Sequence, residues 1–152
     1  AFIPISFNVY ELITKIKNTW CYDYAGLTIN LDINEDLQFK SYVDNIKVIM
    51  DNLILNSIQQ NSVASLKLNI KIEKFDNKLY IEYKDNGKGL DAKYKNNPKK
   101  ILEVHETTRK DGHGLGMWMI NNGIKSTGGE IIEIKGDNGF YFYFNLGDKI
   151  YG

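Results

Sequence analysis

Two short glycine-rich motifs constrain this chain more than any other feature. The first, DNGKGL, occupies residues 85–90, and the second, DGHGLGM, occupies residues 111–117. Glycine lets backbone N–H groups approach a ligand closely and permits positive φ angles. Such N–H groups form an anion site where a glycine turn leads into a helix. The two motifs therefore predict a nucleotide site, with the phosphates at the second motif and the base near Asp85.

Composition indicates one ordinary globular domain without a strong electrostatic field. The chain has 152 residues, of which 43% are hydrophobic and 25% charged, and its net charge is zero. We therefore expect a single domain over residues 1–152 and no nucleic-acid partner. The chain begins with Ala1, which favours a domain excised from a longer protein. Its single cysteine, Cys21, favours a reducing compartment.

Hydrophobic periodicity predicts an α+β fold with a largely antiparallel sheet and helices on one face. One helix is predicted over 9–20 after Asn8, one from Ser41 or Asp44 to about residue 61, and one over 114–127. Alternating patterns predict strands at residues 3–7, 27–33, 37–40, 65–75, 79–85, 130–135 and 140–146.

A polar segment at residues 91–110 separates the two glycine motifs. It is rich in lysine and asparagine. We expect Ile101, Leu102 and Val104 to be the only apolar residues that anchor it to the rest of the domain. This composition predicts a mobile lid with about one helical turn.

A second unusual feature is a stripe of amides on the middle helix, at Asn45, Asn52, Asn56 and Gln59. Asparagine is a poor residue inside a helix, so the stripe calls for a functional or packing reason.

These motifs together resemble the ATP-binding domain of the GHKL superfamily, which includes sensor histidine kinases and gyrase-type topoisomerases. NLILN at residues 52–56 is similar to the N box, and the two glycine motifs are similar to the G1 and G2 boxes. STGGE at residues 126–130 is similar to the family's C-terminal stretch. The resemblance implies a Bergerat-type α/β sandwich, a mixed sheet covered on one face by three helices, with an ATP lid at about residues 91–113.

The resemblance also implies ligands and roles. Asn56 would bind Mg²⁺ through its amide oxygen, and Asp85 would accept a hydrogen bond from the adenine amino group. The implied catalytic residues are Asn52, Asn56 and Arg109. The implied ATP contacts are Asn56, Gln59, Asp85, Gly87, Gly89, Leu90, Thr107, Thr108, Gly112, His113, Gly114, Leu115 and Gly116.

Within the superfamily, the chain is most similar to the histidine kinases. Gyrase-type members carry a glutamate four residues before the metal-binding asparagine, where this chain has Asn52. An amide cannot act as a general base at neutral pH. The resemblance therefore implies slow hydrolysis and transfer of the γ-phosphoryl group to a histidine outside this sequence, in two-component signalling. It also implies a response regulator as partner, a monomeric isolated domain, a homodimeric full-length kinase and a cytoplasmic location, with or without a membrane anchor.

Two departures from the kinase pattern leave alternatives open. His105 and Glu106 stand where two aromatic residues are usual, and Gln59 stands where many kinases have a basic residue. One alternative is a GHKL kinase that phosphorylates serine, of the anti-sigma-factor type. The others are a GHKL ATPase and a nucleotide-binding module without catalysis.

Overall fold

A computed structural model describes residues 3–103 and 114–149, and the side chains of the last helix from Gly116 onward. The helices are α1 (Val9–Asp23), α2 (Val43–Gln60), α3 (Ala92–Lys95) and α4 (Gly114–Ser126), with 3-10 turns at Val63–Ser65 and Pro98–Glu103. The strands are β1 (Ile5–Asn8), β2 (Thr28–Ile33), β3 (Gln38–Ser41), β4 (Lys67–Phe75), β5 (Lys78–Asp85), β6 (Ile131–Lys135) and β7 (Tyr141–Leu146). None of these helices combines the length and the apolar run needed to cross a bilayer.

The main sheet has five strands in the order β2-β4-β5-β7-β6. Its β2 and β4 strands are parallel and the remaining neighbours are antiparallel. The turn between β4 and β5 consists of Asp76 and Asn77, with φ angles of 51° and 62°. Positive φ at both central residues is the geometry of the tight hairpin turn that matches strand twist. The predicted mixed, largely antiparallel sheet is therefore confirmed.

One face of the sheet carries the core. Alternate residues of the central strands are almost fully buried, among them Leu68, Ile70, Ile81 and Phe142, and they pack in one cluster with the apolar stripes of α1, α2 and α4. The intervening strand residues are exposed or half-buried. This is the α/β sandwich expected from the alternation, with the helices on one face.

The first helix begins where its local sequence predicts. The Asn8 side chain accepts a 2.8 Å hydrogen bond from the Glu11 N–H, which satisfies one of the free donors of the first turn. Asn8 also closes β1, which pairs with β3 in a separate two-stranded sheet. The helix continues three residues beyond the predicted end at residue 20, to Asp23.

The predicted N-cap of α2 is wrong. Tyr42 occupies the cap position and makes no side-chain cap hydrogen bond. Ser41 ends β3 instead, and its buried hydroxyl donates to the Gly147 carbonyl 3.1 Å away. Asp44 lies inside the first turn of the helix. Ser41, which local propensity favours as the N-cap, therefore bonds instead to a residue more than a hundred positions away in the sequence.

The assignment of Ile101, Leu102 and Val104 as the only apolar anchors of the lid is also wrong. In the described part, up to residue 103, Tyr94 of α3 is 6% exposed and Ile101 is fully buried. The 3-10 turn that carries Ile101 packs on α4. The segment also contains two short helical stretches rather than one turn. Tyr94 and Ile101 thus anchor the described half of the lid in the core.

Candidate nucleotide-binding site

Asp85, the last residue of β5, anchors the site at the end of a buried strand. Its carboxylate is 2% exposed and accepts three hydrogen bonds. The N–H groups of Gly87 and Phe140 donate to Oδ1 at 2.9 and 3.0 Å. The Ser57 hydroxyl of α2 donates to Oδ2 at 2.7 Å. A carboxylate offers about four acceptor positions, so one position on Oδ2 is left for a ligand.

A short hydrogen-bond chain fixes the direction of these donors. The Tyr83 hydroxyl lies 2.6 Å from Ser57 Oγ and 3.1 Å from the Leu53 carbonyl oxygen. Burial raises the pKa of the Tyr83 phenol well above its ordinary value, and the nearby Asp85 carboxylate adds to this, while the Ser57 hydrogen bond opposes it. The phenol therefore stays protonated, and its single proton has two acceptors within reach, the Leu53 carbonyl oxygen and Ser57 Oγ. The Ser57 hydroxyl donates its own proton to Asp85 Oδ2.

The first glycine motif packs tightly against the end of α2. The Asn61 side chain accepts from the Lys88 N–H at 2.9 Å and donates to the Ser57 carbonyl at 2.9 Å. A Cβ atom on Gly87 would overlap the Asn61 amide. Gly89 has a φ angle of +80°, and a Cβ atom there would overlap the Gly136 carbonyl. Both glycines are therefore required by this turn.

Asn56 lies between α2 and α4, opposite Gly116. It is 6% exposed, and its Nδ2 donates to the Met117 sulfur at 3.3 Å. None of the described residues donates to its Oδ1. Asn45, eleven residues earlier on α2, has an equivalent position opposite Gly123, to whose carbonyl it donates at 3.1 Å. Two members of the amide stripe thus face α4, and Asn45 has a packing role.

These groups surround one small cavity, bounded by α2, β5 and α4. It has a volume of about 10 Å³, room for about one water molecule. Its lining includes Asn56, Ser57, Gln60, Asn61, Asp85 and Met117. A purine does not fit this volume, so nucleotide binding requires some of these side chains to move. Met117 is fully buried and flexible, and it contacts Asn56 directly, so it is the side chain best able to make room.

Three described residues assigned from the sequence, Asn52, Gln59 and Leu90, do not line this cavity. Asn52 is half-buried, and its Nδ2 donates to the Val48 carbonyl of its own helix at 2.8 Å. Gln59 is exposed, and Leu90 is 2% exposed in the hydrophobic core. Gly114 begins α4. Thr107, Thr108, Arg109, Gly112 and His113, and the side chain of Leu115, lie outside the described residues.

Five cavity residues were not predicted as site residues: Ser57, Gln60, Asn61, Met117 and Phe140. Ser57 lies on α2, and its hydroxyl donates to Asp85. A polar residue three or four positions after a site asparagine shares its helix face, so this spacing was the available signal for Gln60. Asn61 follows the helix, and its role depends on a contact with a distant loop.

The side-chain oxygen of Asn56 is suited to bind a hard cation such as Mg²⁺. Asn56 is a nearly buried residue, its Oδ1 is a neutral oxygen that accepts from none of the described residues, and such amide oxygens are ligands for Mg²⁺. Mg²⁺ takes few protein ligands and completes its shell with water and phosphate oxygens. Asn56 is therefore suited to hold the ion on the protein side.

Replacing Gly116 by alanine should damage the site without damaging the helix. A Cβ atom there would lie 3.1 Å from Asn56 Oδ1 and would narrow the space around that oxygen. Alanine favours helices over glycine by about 1 kcal/mol. We expect nucleotide affinity to fall about tenfold, or about 1.4 kcal/mol, with no loss of thermal stability.

Gly123→Ala is the matched control for this change. It adds the same methyl group to the same helix, 3.1 Å from Asn45 Oδ1, outside the cavity. Calorimetry with an ATP analogue and thermal unfolding would compare the two variants. Equal nucleotide affinities for both would contradict the placement of Gly116 beside the ligand.

Sequence and structure comparisons identify the family and the fold of this chain. The chain belongs to the family of histidine kinase-, DNA gyrase B- and HSP90-like ATPases, whose family model matches residues 42–149. This family of ATP-binding domains confirms the GHKL resemblance, and the Bergerat-type fold is confirmed with it.

Solved structures of similar fold include domains of histidine kinases. The catalytic domain of histidine kinase ThkA is 24% identical, with 96% of each chain covered and a TM-score of 0.76. The mycobacterial sensor histidine kinase MprB is 12% identical, with 98% of this chain and 100% of that chain covered and a TM-score of 0.76. The ATP-binding domain of PrrB from Mycobacterium tuberculosis is 14% identical, with coverages of 95% and 97% and a TM-score of 0.73. No curated protein sequence matches this chain.

Proposed function

We propose that this chain is the ATP-binding catalytic domain of a histidine kinase, which transfers the γ-phosphoryl group of ATP to a histidine outside this sequence. The observation that carries the proposal is that no carboxylate among the described lining residues of the cavity is free of hydrogen bonds. Among the described lining residues, Asp85 is the single carboxylate, and it already accepts three hydrogen bonds. One helical turn before Asn56, where a hydrolytic relative has glutamate, Asn52 carries an amide.

In this proposal each part of the site has one task. Asp85 orients the base through the acceptor position left on Oδ2. The N–H groups at the start of α4, at Gly114 and after it, stabilise the phosphates together with the helix dipole. Mg²⁺, when bound, neutralises charge on the phosphate oxygens, and Asn56 holds it. Without a base to deprotonate water, the γ-phosphoryl group is kept for the acceptor histidine.

The partners follow from this reaction. We propose an acceptor segment that carries the histidine and a response regulator that takes the phosphoryl group from it. Several proteins of similar fold are named as histidine kinases, among them ThkA, MprB and AdeS. Another similar structure is that of full-length ShkA in complex with AMPPNP, of which this chain covers 33%. We also propose a cytoplasmic site of action, since ATP and a response regulator are available there.

Asn52→Glu tests the proposal. The unmodified chain should bind ATP, release phosphate slowly and not label itself from radiolabelled ATP. A carboxylate at position 52 lies one turn from Asn56 and should activate water, since a positioned general base contributes about 10²-fold or more. We expect phosphate release to rise by at least about tenfold, because the new side chain still has to reach the water.

Lys47→Glu is the control, since it adds a carboxylate to an exposed position on the same helix. It should leave phosphate release at the level of the unmodified chain. Fast hydrolysis by the unmodified chain would contradict the kinase proposal and favour an ATPase. A stable phosphoprotein formed by the isolated chain would contradict an acceptor outside this sequence.

A further inference from the structure

Gln60 has a buried donor without a partner in the cavity. Its Nε2 atom is shielded from solvent and has no acceptor among the described residues, although the side chain as a whole is half-buried. The NH₂ groups of the neighbouring amides have acceptors: Asn61 Nδ2 donates to the Ser57 carbonyl, and Asn56 Nδ2 donates to the Met117 sulfur. Shielding an N–H group from water without an acceptor is unfavourable, so native proteins seldom leave one unpaired.

We propose that the Gln60 Nε2 group donates a hydrogen bond to an acceptor on the nucleoside part of ATP, a purine ring nitrogen or a ribose oxygen. This inference rests on the proposed function, and it concerns a residue that the sequence motifs did not assign. Three residues before Gln60, on the same helix face, Ser57 bonds to the Oδ2 of Asp85. Gln60 therefore lies toward the base end of the cavity.

Gln60 and Asp85 are complementary in this arrangement. Asp85 offers an acceptor to an amino group, and Gln60 offers a donor to a ring nitrogen or ribose oxygen. A site with both recognises a donor and an acceptor on one ligand, and it discriminates against ligands that leave either group unpaired. Gln60 is thus a specificity residue, while the exposed Gln59 has no position in the cavity.

The first experiment measures the affinity of the 152-residue chain for Mg·ATP by calorimetry. Gln60→Met keeps the length of the side chain but removes the donor, and Gln60→Glu replaces the donor by an acceptor. We expect about a tenfold loss of affinity for Gln60→Met and a larger loss for Gln60→Glu. Gln38→Ala, at an exposed position of β3, is the control and should bind as the unmodified chain does. Thermal unfolding should show both Gln60 variants folded.

A series of ATP analogues then identifies the contact. We would use 1-deaza, 3-deaza, 7-deaza, 2′-deoxy and 3′-deoxy analogues with the unmodified chain and with Gln60→Met. The analogue that lacks the contacted atom should bind the unmodified chain about tenfold more weakly than ATP does. The Gln60→Met variant should bind this analogue as tightly as it binds ATP. The effects of the two changes on affinity would then be non-additive, which a purely structural role of Gln60 would not produce.

Each other outcome has a defined meaning. Gln60→Met and Gln60→Glu binding ATP as tightly as the unmodified chain would overturn the inference and leave the proposed function intact. If the Gln60 variants bound ATP more weakly than the unmodified chain but bound adenosine equally well, the inference would also be overturned, since the contact would then be to phosphate. Failure of the unmodified chain to bind ATP would overturn the proposed function itself and the inference with it.

Discussion

Asp85→Asn is expected to weaken ATP binding by about a hundredfold, which corresponds to about 2.7 kcal/mol. The two N–H donors at Oδ1 hold the oxygen of the new amide in place, so its NH₂ group takes the position of Oδ2. That position is the one left for the ligand. The adenine amino group would then meet a donor instead of an acceptor, and one donor would stay unpaired.

The change should also abolish the preference for ATP over GTP, because guanine carries an acceptor where adenine carries its amino group. Calorimetry with both nucleotides, on both proteins, measures this. Asp32→Asn, at an exposed position of β2, is the matched control. The fold should persist in Asp85→Asn, because the Ser57 hydroxyl can turn and accept from the new NH₂ group. Equal affinity of the unmodified protein for ATP and GTP would remove Asp85 from the base site.

Asn56→Ala should remove the dependence of nucleotide binding on Mg²⁺. None of the described residues donates to Asn56 Oδ1, so this oxygen is free to bind the ion. The substitution removes this oxygen and with it the protein ligand of the ion. We expect the affinity for ATP in Mg²⁺ to fall about tenfold, to the level measured in chelator, which corresponds to about 1.4 kcal/mol. The folded state should change little, because alanine favours the helix by up to about 0.7 kcal/mol and the lost contact is to a weak acceptor, the Met117 sulfur.

Titrations with and without Mg²⁺ check this expectation, together with thermal unfolding. Asn122→Ala, at an exposed position of α4, is the control for an asparagine-to-alanine change in a helix. If the Asn56 variant kept its Mg²⁺ dependence, the ion would have to be held elsewhere. If it unfolded at a much lower temperature, the buried amide would have a structural role that its single weak contact does not indicate.

The local features of this protein were accessible from the sequence by itself. Strands and helices follow hydrophobic periodicity, and the Asn8 cap and the Asp76-Asn77 turn depend on neighbouring residues alone. The glycine motifs were informative because a positive φ and a close backbone approach restrict a position to glycine wherever it lies in the chain. The superfamily followed from the order of these motifs. The roles assigned to Asp85, Asn56 and the other site residues stay predictions.

Only the tertiary structure decided which side chains point into the cavity. Gln59 and Gln60 are neighbours of identical chemistry, yet about 100° of helix rotation makes one exposed and places the other in the cavity lining. Asn45 and Asn56 face α4, whereas Asn52 of the same stripe bonds back to its own helix. Ser41 has a high propensity for the N-cap position, but its hydroxyl donates to the Gly147 carbonyl instead. Propensity and motifs depend on neighbouring residues, whereas a side chain's direction depends on elements that pack from elsewhere in the chain.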